Sequence, residues 1–321
     1  MLAGLFRWLL GLAFLALLVG IAVYLFYARD IAAVTARLAQ DARYGDTRFG
    51  QIEYADAGSG PVALAIHGAG GGFDQGMVLA RGFGPGGYRF IAPSRFGYLG
   101  SALPDDPSTA AQADAFVDLL DGLGIDKVTV LAMSGGVPPA LQLAERYPDR
   151  VTALVFLSSA PFTPLATQQN DLPIPIWLYQ WLFRADLAFW ILQRLLPGQL
   201  EAAFDMPSDA RATLPAGEIA FADDMMAAFL PVSRRQPGLG NEGAAIDPEA
   251  RHDLAAIRAP VLVVHASDDG INPVSIAEYI AGKVPGAELL ITPSGGHLLL
   301  GHHGDIRRAI ADFLTHTTPT D

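Results

Sequence analysis

Apolar residues in this chain run in stretches of different length, and the length predicts the element. The longest covers residues 8–28 without a charge and is bracketed by Arg7 and Arg29. A helix of that length rises roughly 30 Å, the thickness of a bilayer core. Shorter apolar runs at 62–66, 88–92, 128–133, 151–157, 261–265 and 288–291 have the length and β-branched content of strands. Residues 47–56 alternate through Phe49, Gln51, Ile52 and Tyr54 before the turn Ala57-Gly58-Ser59-Gly60-Pro61, which predicts a hairpin. Residues 109–123 place Ala113, Phe116, Val117 and Leu120 on one stripe, a helical period.

Strands alternating with helices imply an α/β architecture, a mostly parallel central sheet with helices on both faces. The alternation lapses between Pro161 and Asp253. That insert holds Trp177, Trp181 and Trp190 and predicts helices at 176–184, 186–196 and 218–230. The expected organisation is an anchor at 1–28, a linker or helical stalk at 29–46, and a core in two parts, 47–160 and 254–316. The insert at 161–253 separates those parts, and 317–321 is a tail.

The apolar segment has two readings. A cleaved signal peptide has an apolar region of about 7–15 residues ending at small residues. Here Tyr24, Phe26 and Tyr27 stand at the end, which suits an interfacial aromatic belt and favours a single uncleaved transmembrane helix. Arg29, Arg37, Arg43 and Arg48 lean toward a cytoplasmic catalytic domain. Asp30, Asp41 and Asp46 are interspersed, so the side of the membrane stays open.

Composition narrows the partners. Acidic residues exceed basic ones, 33 to 21, giving a formal charge of −12. That balance argues against nucleic acid, since phosphate binding needs clustered Lys and Arg. With no cysteine, disulfides are excluded and the redox compartment is undetermined. No cofactor is indicated, and neither a Cys cluster nor a His-Glu-x-x-His pattern suggests a metal. Oligomeric state is not readable.

The candidate chemistry centres on Ser134. It follows the run Val-Thr-Val-Leu-Ala-Met and precedes Gly135, Gly136 and a helix-like segment. A serine on a sharp strand-to-helix turn is held in the open, and the tightness of the turn demands small neighbours, met by Ala132 and Gly136. Gly135 can present its N–H to an oxyanion at the helix start. Ser59, Ser158, Ser159 and Ser294 lack that strand-then-helix setting. Downstream, Asp268 and Asp269 follow one strand-like run, and His297 follows the last through Pro293-Ser294-Gly295-Gly296. The order Ser, Asp, His distinguishes this arrangement from the two best-known serine protease folds.

These motifs resemble the α/β-hydrolase superfamily, specifically its lid-bearing esterase-like members, over about residues 49–316. His67-Gly68-Ala69-Gly70 resembles the oxyanion loop after the third strand. Ser94-Arg95-Phe96-Gly97-Tyr98-Leu99-Gly100-Ser101 resembles the loop after the fourth, with Ser94 and Phe96 as departures. Ala132 replaces the usual first glycine of the serine elbow. The resemblance implies Ser134 as nucleophile, His297 as base and Asp269 as the orienting acid, with Asp268 a competing acid. It also implies backbone N–H donors from Ala69 and Gly135, and a lid formed by the insert.

The remaining polar residues carry plainer expectations. His67 shapes the oxyanion loop, and His265 lines the pocket or fills space. His302 and His303 are solvated, His252 and His316 lie on the surface, and Arg234 and Arg235 form a solvated lid edge or meet an anionic group. The expected activity is cleavage of small hydrophobic or lipid-like carboxylic esters. Amide or carbon–carbon hydrolysis by the same triad is the alternative, and a catalytically silent binding protein is the reading from another class.

Overall fold

The computed structural model describes residues 2–162, 165, 178, 181–203, 205–206, 210–245 and 252–317. Helix α1 (Leu2–Asp41) runs without interruption from the apolar segment to the core. Its most apolar stretch is not buried against the rest of the chain, and it is long and apolar enough to cross a membrane. The segment expected as a linker or helical stalk at 29–46 consists of the last third of this helix plus an edge strand, β1 (Arg43–Thr47). β1 pairs antiparallel with β2 (Gly50–Gly58), so the hairpin turns at 47–50. The turn at 57–61 instead releases the chain into β3 (Val62–Ile66), which pairs elsewhere.

The order then runs α2 (Phe73–Phe83), β4 (Arg89–Pro93), α3 (Thr109–Gly122), β5 (Val128–Met133), α4 (Val137–Arg146) and β6 (Val151–Leu157). The insert contributes α5 (Asp186–Leu195), α6 (Pro197–Ala203), α7 (Ala216–Ala227) and α8 (Gln236–Ala245). The core resumes with β7 (Val261–Ala266), α9 (Ser275–Lys283), β8 (Glu288–Thr292) and α10 (His303–Thr317). Most of the helix expected at 176–184, Trp177 included, lies outside the described residues.

Eight strands form one sheet in the order β1-β2-β4-β3-β5-β6-β7-β8. β2 is antiparallel to both neighbours, and every pairing from β4 through β8 is parallel. The inner strands β3, β5, β6 and β7 are apolar nearly throughout because both of their faces are covered. Val130, Ala132, Val261 and Val263 pack into the cluster formed with α3, α4 and α9. Leu131, Met133, Leu262 and Val264 face the cluster formed with α2, α7 and α10. The predicted α3 stripe is buried, and Ser108 caps that helix by accepting from the Ala111 N–H at 3.1 Å. In a parallel sheet every strand delivers its C-terminal loop to one edge. Ser134, Asp269 and His297, which follow β5, β7 and β8, therefore stand along that edge.

Candidate active site

Ser134 has φ 51°, a left-handed conformation that costs a non-glycine residue about 1–2 kcal/mol. The strain is held by close packing around the turn. A Cβ on Gly136 would lie 2.7 Å from the carbonyl oxygens of both Ile66 and His67, so only glycine fits. Ala132 stands where the family has glycine, on the strand flanked by β3 and β6, and its methyl is buried in the apolar cluster formed with α3 and α4. Ser134 itself is partly exposed. Pro138 and Pro139 open α4, where missing N–H groups have no intrahelical acceptor to lose.

The oxyanion-loop residues sit against this turn. A Cβ on Gly135 would be 3.3 Å from the Ala69 backbone nitrogen, so the two candidate donors lie side by side. His67 is buried behind them. Its Nε2 accepts from the Arg95 N–H at 2.9 Å, and its other ring nitrogen is 2.7 Å from the Gly68 carbonyl. Burial, with Arg95 nearby, lowers its pKa, and a neutral ring suits the acceptor role.

The candidate acid and base, Asp269 and His297, meet. Asp269 Oδ2 is 2.9 Å from His297 Nδ1, and its Oδ1 accepts from the N–H groups of Ile271 at 2.9 Å and Asn272 at 2.8 Å. Burial alone would raise its pKa. His297, a hydrogen bond from His265 and the Asn272 N–H outweigh that and hold the carboxyl well below the usual range. Burial likewise opposes a charge on His297, but Asp269 and then Asp205 outweigh it, so its pKa is raised. Asp268 points elsewhere and accepts from the backbone N–H groups of Gly295 and Gly296 at 3.3 and 2.9 Å. It shapes the turn that carries the histidine.

Residues 158–160 tie serine to histidine. The Ala160 N–H donates to the Ser134 carbonyl at 3.3 Å, and Ser158 Oγ donates to the His297 carbonyl at 2.8 Å. Among the described residues, no hydrogen bond joins Ser134 Oγ to the His297 ring, and no cluster of three His, Asp or Glu is arranged to hold a metal. A cavity of about 480 Å³ lies between α1, β2, α2 and α7. Ser134, Asp269 and His297 do not border it, so its volume does not mark the chemistry.

Several polar residues are placed differently from expectation. His265 neither lines a pocket nor fills space passively. It is buried with Nε2 3.3 Å from Asp269 Oδ2 and 3.0 Å from the Asn272 carbonyl, a second imidazole on the acid. His303 is buried between the Phe83 and Phe221 rings, with Nε2 2.9 Å from the Leu298 carbonyl. The His252 side chain is buried against Phe162 and lies 3.2 Å from Glu145. Arg235 is fully buried and forms a two-pronged pair with Asp74 at 2.8 and 3.0 Å, leaving Arg234 as the partly exposed member. His316 is exposed and His302 partly so.

Two lid carboxylates had no local signal. Asp205 Oδ2 accepts from the N–H groups of Gly270 and His297. Glu242 on α8 pairs with buried Arg95 and accepts from the Tyr98 hydroxyl at 2.5 Å, while its Oε2 would be 3.0 Å from a Cβ on Gly135.

An eight-stranded sheet with a strained serine after its central strand, and an acid–histidine pair on the neighbouring loops, defines a class of α/β enzyme. A family model described as alpha/beta hydrolase fold matches residues 61–303, and the chain belongs to that family. It is 30% identical over 269 residues to Uncharacterized hydrolase YcgS of Bacillus subtilis (strain 168), covering 78% of this chain and 89% of that one. Identity to the 2-hydroxymuconate semialdehyde hydrolase of Pseudomonas putida is 28%, over 81% of this chain and 89% of the relative. A solved alpha/beta hydrolase fold protein from Nakamurella multipartita superposes with a TM-score of 0.69 at 27% identity, covering 85% and 98% of the two chains.

Proposed function

We propose that this protein is a membrane-anchored serine hydrolase that cleaves carboxylic esters of small hydrophobic or lipid-like compounds. The observation that carries this reading is the 2.9 Å Asp269–His297 contact on the same sheet edge as the strained Ser134 elbow. In the proposed reaction, Ser134 Oγ attacks the acyl carbon while His297 Nε2 takes its proton. The N–H groups of Ala69 and Gly135 receive the developing oxyanion. Loss of one such donor typically costs about 10²–10³ in rate. Collapse of the tetrahedral adduct breaks the ester C–O bond, and His297 returns the proton to the leaving alcohol. Water then attacks the acyl-enzyme with His297 again as base, releasing acid and restoring Ser134. Asp269 fixes the imidazole tautomer and stabilises the imidazolium. Catalytic hydrogen bonds to the serine are commonly long without substrate and tighten when it binds.

The apolar, uncovered first half of α1 supports anchoring, and the aromatic lid supports an apolar acyl or alcohol portion. Carbon–carbon hydrolysis by the same triad is the second reading. It is favoured by the relative named for 2-hydroxymuconate semialdehyde, a compound with no ester group. A fluorophosphonate probe on the full chain tests the nucleophile. Wild type should be labelled and Ser134→Ala should not, whereas equal labelling of both removes Ser134 from the mechanism. A panel of p-nitrophenyl esters then separates the readings, a flat and weak profile favouring the carbon–carbon bond.

A further inference from the structure

The lid is docked on the anchor helix. Val23, Tyr27 and Ile31 of α1 join an apolar cluster with Phe183, Phe189 and Trp190 of the insert. The Tyr27 and Trp190 rings meet edge-on, with centroids 6.0 Å apart. Asp30 accepts from Trp190 Nε1 at 3.2 Å and also pairs with Arg194. These contacts fix α5 along α1 at the C-terminal end of the uncharged stretch 8–28, where Tyr24 and Phe26 are exposed. That is where a membrane-crossing helix leaves the hydrocarbon for the headgroup layer.

The same lid helix and the residues flanking it carry exposed apolar side chains. Trp181 is 54% exposed, Leu195 73% and Leu196 45%, with Leu187 at 36%. A patch of this kind marks an interaction surface. The lid helix α5 packs on the helix whose exposed apolar side chains run from Leu5 to Phe26, and that attachment identifies the occupant as a lipid bilayer. The exposed Arg184, three residues after Trp181, has a side chain long enough to reach phosphate groups while its stem lies in the apolar layer. Inside the lid, Phe189 packs on Phe229 with centroids 6.0 Å apart. The Phe229 ring in turn would lie 2.5 Å from a Cβ on Gly70, in the oxyanion loop. Apolar side chains therefore run from the anchor helix to the edge of the proposed catalytic site.

We propose that the lid surface at Trp181, Leu187, Leu195 and Leu196 lies in the interfacial layer of the bilayer that α1 enters, and that the substrate is a membrane-resident amphiphile admitted laterally beneath this lid. The proposal rests on the anchored reading above and adds the lid as a second membrane contact.

The chain contains no cysteine, so single nitroxide labels can be introduced cleanly. Leu15→Cys, Leu195→Cys, Trp181→Cys and Arg307→Cys would each be labelled in the full chain and placed in phosphatidylcholine–phosphatidylglycerol vesicles. Collisional relaxation would then be read with oxygen and with a water-soluble nickel complex. Lipid-like accessibility is expected at 15, 181 and 195, and aqueous accessibility at 307 on α10. A lipid signal at 15 with aqueous signals at 181 and 195 overturns the lid contact and leaves the anchor standing. An aqueous signal at 15 overturns both. As an activity readout, Leu195→Glu with Leu196→Glu should lower turnover of a vesicle-borne ester at least 10-fold and leave hydrolysis of a soluble short-chain ester unchanged. Equal effects on the two substrates overturn lateral admission.

Discussion

The carboxylate of Asp205, a lid residue, accepts a hydrogen bond from the backbone N–H of His297 at 2.9 Å and another from Gly270 at 2.7 Å. One lid side chain thus fastens the loop that carries His297, the proposed base, to the loop that carries Asp269, the proposed acid. Its charge also helps raise the His297 pKa, after the larger effect of Asp269. Asp205→Asn keeps an acceptor oxygen and removes the charge. Since His297 must be neutral to act as base, activity falls as pH drops through its pKa. The acid limb of kcat/KM in wild type should therefore lie above the ordinary histidine value of about 6.5. The Asn variant should move that limb to lower pH. A limb that stays in place would remove Asp205 from the electrostatics of the base.

The two neighbouring aspartates should separate clearly. Asp269→Asn is expected to lower kcat by on the order of 10⁴, the effect of presenting the wrong tautomer to the serine. Asp268→Asn retains an acceptor for the Gly296 N–H and should cost far less. Steady-state kinetics on a p-nitrophenyl ester give the ranking, and a larger loss at 268 would relocate the acid by one residue.

The same pair contributes to stability over a definite range of pH. Asp269 has a depressed pKa, so its contribution is present above the unfolded carboxylate value near 3.9 and is lost as pH falls through the folded one. His297 has a raised pKa, so its contribution is complete below about 6.5 and is lost as pH rises through the folded value. The stability difference between wild type and Asp269→Asn should therefore be greatest between about pH 4 and 6.5. Urea midpoints across pH 3–9 measure it, and a difference growing steadily above pH 8 would contradict the pairing.

Backbone strain at the elbow predicts a trade of activity for stability. Ser134→Ala removes the hydroxyl but keeps a Cβ at φ 51°, while Ser134→Gly removes both. The glycine variant should be more stable than the alanine variant by about 1 kcal/mol, and both should be inactive. Equal thermal midpoints would mean that the turn is unstrained.

Arg95 is buried with Glu242 as its charged partner. Removing one member of a fully buried pair costs roughly 3–5 kcal/mol. Glu242 retains 20% side-chain exposure, so Glu242→Gln should cost somewhat less. Arg95→Met combined with Glu242→Leu should recover most of the loss in a denaturant titration, because no unpaired charge then remains inside.

Local patterns carried much of the architecture. The apolar runs that became β3, β5, β6 and β7 were readable because strands covered on both faces need no polar alternation, and the exposed edge strand β8 was readable because it still carries Leu289, Leu290 and Ile291 in a row. Ser134 was readable because a strand, a tight turn and a helix are consecutive in the chain, and sterics alone restrict the residues beside the serine. β1 escaped notice for the opposite reason. Arg43-Tyr44-Gly45-Asp46-Thr47 is a polar edge strand paired only with β2, and nothing apolar marks it.

Sequence alone determined the parallel sheet, the uncharged helix ahead of it and the order Ser134, Asp269, His297, since each depends on short-range periodicity or chain order. Tertiary structure decided which charges face one another. Arg235 meets Asp74 across 161 positions, and Asp205 meets the His297 N–H across 92. It also put His265 on the acid and His303 between two phenylalanines. A polar side chain acquires a role inside a protein only from the partner that satisfies it, and folding, unlike local propensity, selects that partner from anywhere in the chain.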